Sequence, residues 1–99
     1  MWIDLTAADG TALRAWTARP KGTVERGLLV FQEAFGVNAH IRDITERYAR
    51  AGFIAVSPDL FHRTAPGFEG RYDDLPGAMP HLQRITVGGL EADIRAARI

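Results

Sequence analysis

The residue of this chain best placed to do chemistry is Glu33. In Leu28-Leu29-Val30-Phe31-Gln32-Glu33-Ala34-Phe35-Gly36-Val37-Asn38, four apolar residues stop at Gln32-Glu33 and a helix start follows. Carboxyl ends of strands are where open α/β sheets keep their active sites. A carboxylate there is expensive to bury unless a neighbour pairs or hydrogen-bonds with it, and such groups often have tuned acid–base roles. The alternative is a structural glutamate that caps the following turn or pairs with an arginine. A second apolar run, Phe53-Ile54-Ala55-Val56, leads into Ser57-Pro58-Asp59-Leu60-Phe61-His62-Arg63. Asp59 stands where a triad acid could sit, although Asp commonly satisfies loop N–H groups, and its local chemistry favours that reading. Arg63 can hold a substrate carboxylate in a bidentate contact or form an ion pair with Glu33, Asp59 or Asp43.

Other reactive side chains are poorly placed. Ser57 is the only serine, precedes Pro58 and lacks the Gly-x-Ser-x-Gly surroundings of an exposed nucleophile elbow, so it reads as a core or strand-end serine. With no cysteine, no thiol nucleophile or thiolate metal site is available in these residues. His40, His62 and His81 have no elbow to serve as base partners and no metal-binding spacing, so neither a catalytic role, a metal nor a cofactor is expected for them. Gly88-Gly89 ahead of a helix reads as a plain helix start, since no phosphate-binding glycine motif accompanies it. Among the aromatics, Phe35 alone, beside Glu33, reads as a pocket wall.

The bulk properties narrow the partners. Apolar residues make up 46% and charged residues 24% of the 99 residues, as in globular chains rather than disordered or membrane ones. A formal net charge of zero gives no basic footprint for nucleic acid or an anionic membrane. No leader-like or long apolar stretch is present, and the expected compartment is the cytoplasm.

The elements that must position Glu33 can be read from the pattern. Alternation around Ala8-Asp9-Gly10-Thr11 predicts a hairpin over Met1 to Arg19. The unbroken run Leu28 to Phe31 suits a strand covered on both faces, and Phe53 to Val56 a second. Between them Asn38 can cap a helix from Ala39 to Ala51 with Ile41, Ile44, Tyr48 and Ala51 on its inner face, and Gly52 is the expected stop. Arg63 to Arg84 collects Pro66, Gly67, Gly70, Pro76, Gly77 and Pro80 and reads as a long irregular segment. A last helix is expected from about Gly88 to Ile99, with Leu90, Ile94 and Ala97 inward. The class is α/β with a mixed, mostly parallel sheet.

Three ordered blocks carry a family resemblance. Phe31 to Asn38, Val56 to Gly67 and Gly88-Gly89-Leu90-Glu91-Ala92-Asp93-Ile94 together resemble the amino-terminal part of the dienelactone hydrolases, a branch of the α/β-hydrolases. The resemblance implies that residues 1–99 are the amino-terminal portion of one such domain, whose core generally needs about 200–250 residues. It implies hydrolysis of an ester or lactone, of the carboxymethylenebutenolidase type, through an acyl-enzyme, with a cysteine or serine nucleophile, a histidine and an aspartate all beyond Ile99. What falls within these residues is Glu33, matching a glutamate that takes part in activating the nucleophile, and Ala34, matching the residue whose backbone N–H enters the oxyanion hole. A larger aliphatic is common at Ala34, which affects pocket size and leaves a backbone donor intact. Phe35 and Arg63 are the expected substrate contacts, and no cofactor is implied.

In that fold the strand Leu28 to Phe31 lies between Phe53 to Val56 and the nucleophile strand, so one flank is expected to be unpaired here, and exposed edges self-associate. The alternative function is a non-catalytic module that binds a small carboxylate or docks a partner strand on that edge.

Overall fold

The computed structural model describes residues 1–98. Strands β1 (Trp2–Thr6) and β2 (Ala12–Ala18) form the expected hairpin, in antiparallel register from Trp2 opposite Trp16 to Thr6 opposite Ala12. The alternation of β2 is realised: Leu13, Ala15 and Thr17 are buried. At the turn, Gly10 takes φ 85°, a left-handed conformation that favours glycine.

Strand β3 (Gly27–Leu29) is shorter than the apolar run suggests. Val30 still donates to the Val56 carbonyl at 2.9 Å, but the chain then leaves the sheet and Phe31 is 52% exposed. Strand β4 (Ile54–Pro58) lies between β2 and β3, giving the order β1-β2-β4-β3. The sheet is mixed as expected, but only the β3–β4 pairing is parallel, because both pairings of the hairpin strand β2 are antiparallel. Strand β3 forms the end of the sheet.

Helix α1 (Ala39–Arg50) is capped by Asn38, whose Oδ1 accepts from Ile41 N–H at 3.1 Å, and Gly52 follows its end at φ 106°. Its buried residues are Ile41, Thr45 and Ala49, whereas Tyr48 and Ala51, expected inward, are exposed. Thr45 can be buried because its hydroxyl donates to the Ile41 carbonyl at 2.8 Å. Helix α2 (Leu75–Gln83) occupies part of the segment expected to be irregular. Asp74 accepts from Gly77 N–H at 3.0 Å as its cap, and Pro76 sits in the first turn, where no intrahelical N–H bond is lost. Helix α3 (Val87–Ala97) starts one residue earlier than expected, with Thr86 capping Gly89 N–H at 3.0 Å. Asp93 and Ala97 are its buried residues, with Leu90 and Ile94 only partly covered; Ile99, the expected end, lies outside the described residues.

The two faces of the sheet carry separate cores. Val30 and Ala55 pack with Val37 and Ile41, backed by Trp2, Trp16, Leu28 and Ile44. Ala15 and Val56 pack with Ala97 of α3, with Ile3, Leu5, Leu29 and Ile54 around them. Adjacent strand residues point to opposite faces, so Ala55 and Val56 put α1 and α3 on opposite sides. No helix among the described residues is long and apolar enough to cross a membrane.

Candidate active-site loop

The segment after β3 is a turn pinned from several sides. Gly36 N–H donates to the Glu33 carbonyl at 3.3 Å. Gly36 itself takes φ 85°, and a Cβ there would collide with the Phe68 carbonyl, so only glycine fits both the backbone and the space. Gly70 N–H donates to the Phe35 carbonyl at 3.0 Å, and the Phe35 ring meets Tyr72 edge-on at 4.9 Å between centroids. Asn38 Nδ2 donates to the Tyr72 hydroxyl at 2.9 Å, and Arg42 holds the Val37 carbonyl at 2.7 Å. One wall of the loop is therefore built from residues 68–72, far away in sequence.

Gln32 ties down the other end. Its Oε1 accepts from Leu60 N–H at 2.8 Å and its Nε2 donates to the Glu33 carbonyl at 3.2 Å. The Ala34 N–H has no acceptor among the described residues. Glu33 is exposed rather than buried, so the desolvation penalty anticipated for a strand-end carboxylate does not arise. Its side chain borders an open groove on the free flank of β3, with Leu28, Val30, Phe31, His40 and Ile44, and forms no ion pair among the described residues. A free carboxylate and a free backbone donor on successive residues at a strand end can serve, respectively, a proton or charge and an oxyanion.

Arg63 lies elsewhere. Its Nη2 reaches Asp9 Oδ2 at 2.8 Å and its Nη1 reaches Asp93 Oδ2 at 3.0 Å. Neither Glu33, Asp59 nor Asp43, the partners offered by the sequence, is used: Asp43 pairs with Arg47 at 3.0 Å, and Asp59 accepts from Phe61 N–H at 3.1 Å and Gly67 N–H at 2.8 Å. Partial burial pulls the Arg63 pKa down, but the carboxylates of Asp93 and Asp9 outweigh it and the net direction is up. The Thr11 hydroxyl and backbone N–H, followed by Arg63, hold Asp9 down at about 2. The cavity beside Arg63 is lined by Arg84, Thr86 and Gly89 among others, and shares no residue with the Glu33 groove.

Asp93 also binds His62, Nε2 to Oδ1 at 2.9 Å, with both side chains buried. Because the Asp93 carboxylate accepts, His62 Nε2 is the donor in this contact, while Nδ1 is buried with no partner among the described residues. The pair resembles a base–acid couple, but its second nitrogen is buried and hydrogen-bonds to no group among the described residues. Ser57 is fully buried in β4, as a core serine would be, and His81 packs against Phe68 with tilted rings, 4.6 Å between centroids. Gln32, Tyr72, Asp9 and Asp93 were not singled out by sequence reasoning. Asp93 had a signal, since Leu90, Asp93 and Ala97 share one helical stripe and put a carboxylate on the buried side.

The sequence profile of the dienelactone hydrolase family matches residues 13–98. The chain is 56% identical over 45 residues to a Synechocystis protein named "Putative carboxymethylenebutenolidase", covering 46% of this chain and 18% of that one. It is 35% identical over 103 residues to the carboxymethylenebutenolidase of Pseudomonas putida, covering 97% and 44%. A crystal structure from Klebsiella pneumoniae, titled "Putative Dienelactone Hydrolase", superposes with a TM-score of 0.72 at 28% identity, over 97% of this chain and 42% of that one. The chain thus spans less than half the length of these relatives.

Proposed function

Since the chain belongs to the dienelactone hydrolase family, we propose that residues 1–99 are the amino-terminal portion of a single hydrolase domain that cleaves a small ester or lactone in the cytoplasm. The observation that carries this is the pairing of a free Ala34 N–H with a free Glu33 carboxylate in a rigid turn at the end of β3. In the proposed reaction a cysteine or serine nucleophile, supplied with its histidine and aspartate by residues beyond 99, attacks the substrate carbonyl carbon. The carbonyl π electrons move to oxygen, and the Ala34 N–H donates to that developing oxyanion from about 3 Å. Collapse expels the alkoxide, and water then hydrolyses the acyl-enzyme to the carboxylic acid. Glu33 takes part in activating the nucleophile across the groove, and Phe35 forms a wall of the pocket. Arg63, proposed as a substrate contact, already holds the carboxylates of Asp9 and Asp93 and keeps only its remaining N–H for a substrate. Reading the coding frame past Ile99 tests the proposal. A Gly-x-Cys/Ser-x-Gly elbow within about 20 residues, followed by an aspartate and a histidine, is expected; a frame without one would overturn it.

A second reading is favoured by one observation, the bare flank of β3 with exposed Phe31. There the chain would dock a strand, from a partner or from another copy of itself, without catalysis. The carboxylate-binding form of this alternative has less support, because the Arg63 guanidinium is already engaged by Asp9 and Asp93.

A further inference from the structure

The peptide plane that carries the Ala34 N–H also carries the Glu33 carbonyl. In a planar trans peptide those two bonds point in opposite directions, so whatever holds the carbonyl aims the N–H. Two donors hold it: Gly36 N–H at 3.3 Å and Gln32 Nε2 at 3.2 Å. The Gly36 bond comes from within the turn and moves with it. Gln32 is different, because its other amide atom is anchored outside the loop, on Leu60 N–H just after β4, at 2.8 Å. The orientation of the Gln32 amide is set by its partners, since a backbone N–H only donates and a carbonyl only accepts. A flipped amide would set donor against donor and acceptor against acceptor.

We propose that Gln32 is a positioning residue for the oxyanion donor, with its side-chain amide fixing the tilt of the Glu33–Ala34 peptide relative to β4. The inference rests on the reading of Ala34 N–H as an oxyanion donor. Gln32 itself touches no reacting atom. Hydrogen bonds weaken steeply as they bend, so a donor aimed by an amide anchored just after β4 is worth more to the transition state than one held only from within its own turn.

The test uses three variants of the complete polypeptide that carries these residues, assayed with an aryl ester. Gln32→Glu keeps the chain length and the acceptor for Leu60 N–H but sets a carboxylate oxygen against the Glu33 carbonyl. Gln32→Met removes both bonds without adding charge. Replacing Ala34 by lactic acid, so that an ester oxygen stands in place of the N–H, tests the underlying donor directly. The expected result is a fall in kcat of about 10- to 100-fold for both Gln32 variants, somewhat less than deletion of a donor. Their KM stays within about twofold, because the bonds aim a transition-state contact rather than bind substrate, and their thermal midpoints fall only by the modest amount that losing one or two partly exposed hydrogen bonds produces. The acyl-enzyme carbonyl stretch, read by infrared, moves to higher wavenumber in both, which a merely structural role would not produce.

If the Ala34 ester loses activity while both Gln32 variants keep wild-type kcat and carbonyl stretch, the Gln32 role is overturned and the hydrolase reading stands. If the Gln32 variants lose activity together with thermal stability, and the carbonyl stretch does not move, Gln32 is structural and the proposal is wrong. If the Ala34 ester turns over at the wild-type rate, the oxyanion reading falls and takes the Gln32 role with it.

Discussion

His62 Nε2 and Asp93 Oδ1 lie 2.9 Å apart with both side chains almost completely buried, and this contact fastens α3 to the loop that follows β4. The second oxygen of Asp93 holds Arg63, which in turn holds Asp9 in the hairpin turn. One carboxylate therefore joins the last helix, the loop after β4 and, through Arg63, the hairpin turn.

Removing that carboxylate leaves a buried imidazole N–H with no acceptor and an arginine with one partner fewer. Breaking a buried pair by deleting one member commonly costs about 3–5 kcal/mol. Asp93→Ala in the complete polypeptide is expected to lower unfolding stability by about 3 kcal/mol, read from urea denaturation. A loss below about 1 kcal/mol, the scale of an exposed ion pair, would show that the network is incidental.

Asp9 gives the network an acid limit. Its pKa is lowered from 3.8 to about 2 in the folded chain, first through Thr11 and then through Arg63. A depressed carboxylate stabilises the fold above its unfolded pKa, and that contribution disappears as pH falls through the folded one. The stability difference between wild type and Asp9→Asn, followed by urea midpoints, is accordingly expected to hold above about pH 4 and to close between 3.8 and about 2. A difference that stays constant down to pH 2 would contradict the assignment.

Much of this architecture was legible in the residues. The Asp-Gly hairpin, the Asn38 cap and the two apolar strands follow from local rules that need only neighbouring positions. What could not be read depends on contacts distant in sequence. Tyr48 looked like a core residue by spacing, but the buried stripe of α1 is Ile41, Thr45 and Ala49, and Tyr48 stays 44% exposed against Phe53. Helix α2 was hidden because Pro76 and Pro80 look like breakers; Asp74 capping the first turn accommodates Pro76, whereas Pro80 stands inside the helix against its local preference. At the site, Glu33 stood out by its place after a strand and Ala34 through the family resemblance alone, whereas Gln32 acts through Leu60, and Arg63 found Asp9 and Asp93, partners that only the assembled fold brings near.

The bare flank of β3 bears on association. Edge strands with unpaired backbone groups and exposed apolar side chains recruit further strands, and Phe31 is 52% exposed beside this edge. Residues 1–99 alone are expected to sediment as dimers or larger species at micromolar concentration, and Phe31→Lys to shift them toward monomer. A monodisperse wild-type monomer would remove the support for strand docking.

If Glu33 works beside Ala34 N–H in ester or lactone hydrolysis, steady-state hydrolysis of an aryl ester by the complete polypeptide, wild type against Glu33→Gln, shows it. The side chain is exposed and unpaired, so the substitution leaves folding stability unchanged while removing the charge. A fall in kcat of about 100-fold or more is expected, with the thermal midpoint preserved. Wild-type turnover in Glu33→Gln would contradict it.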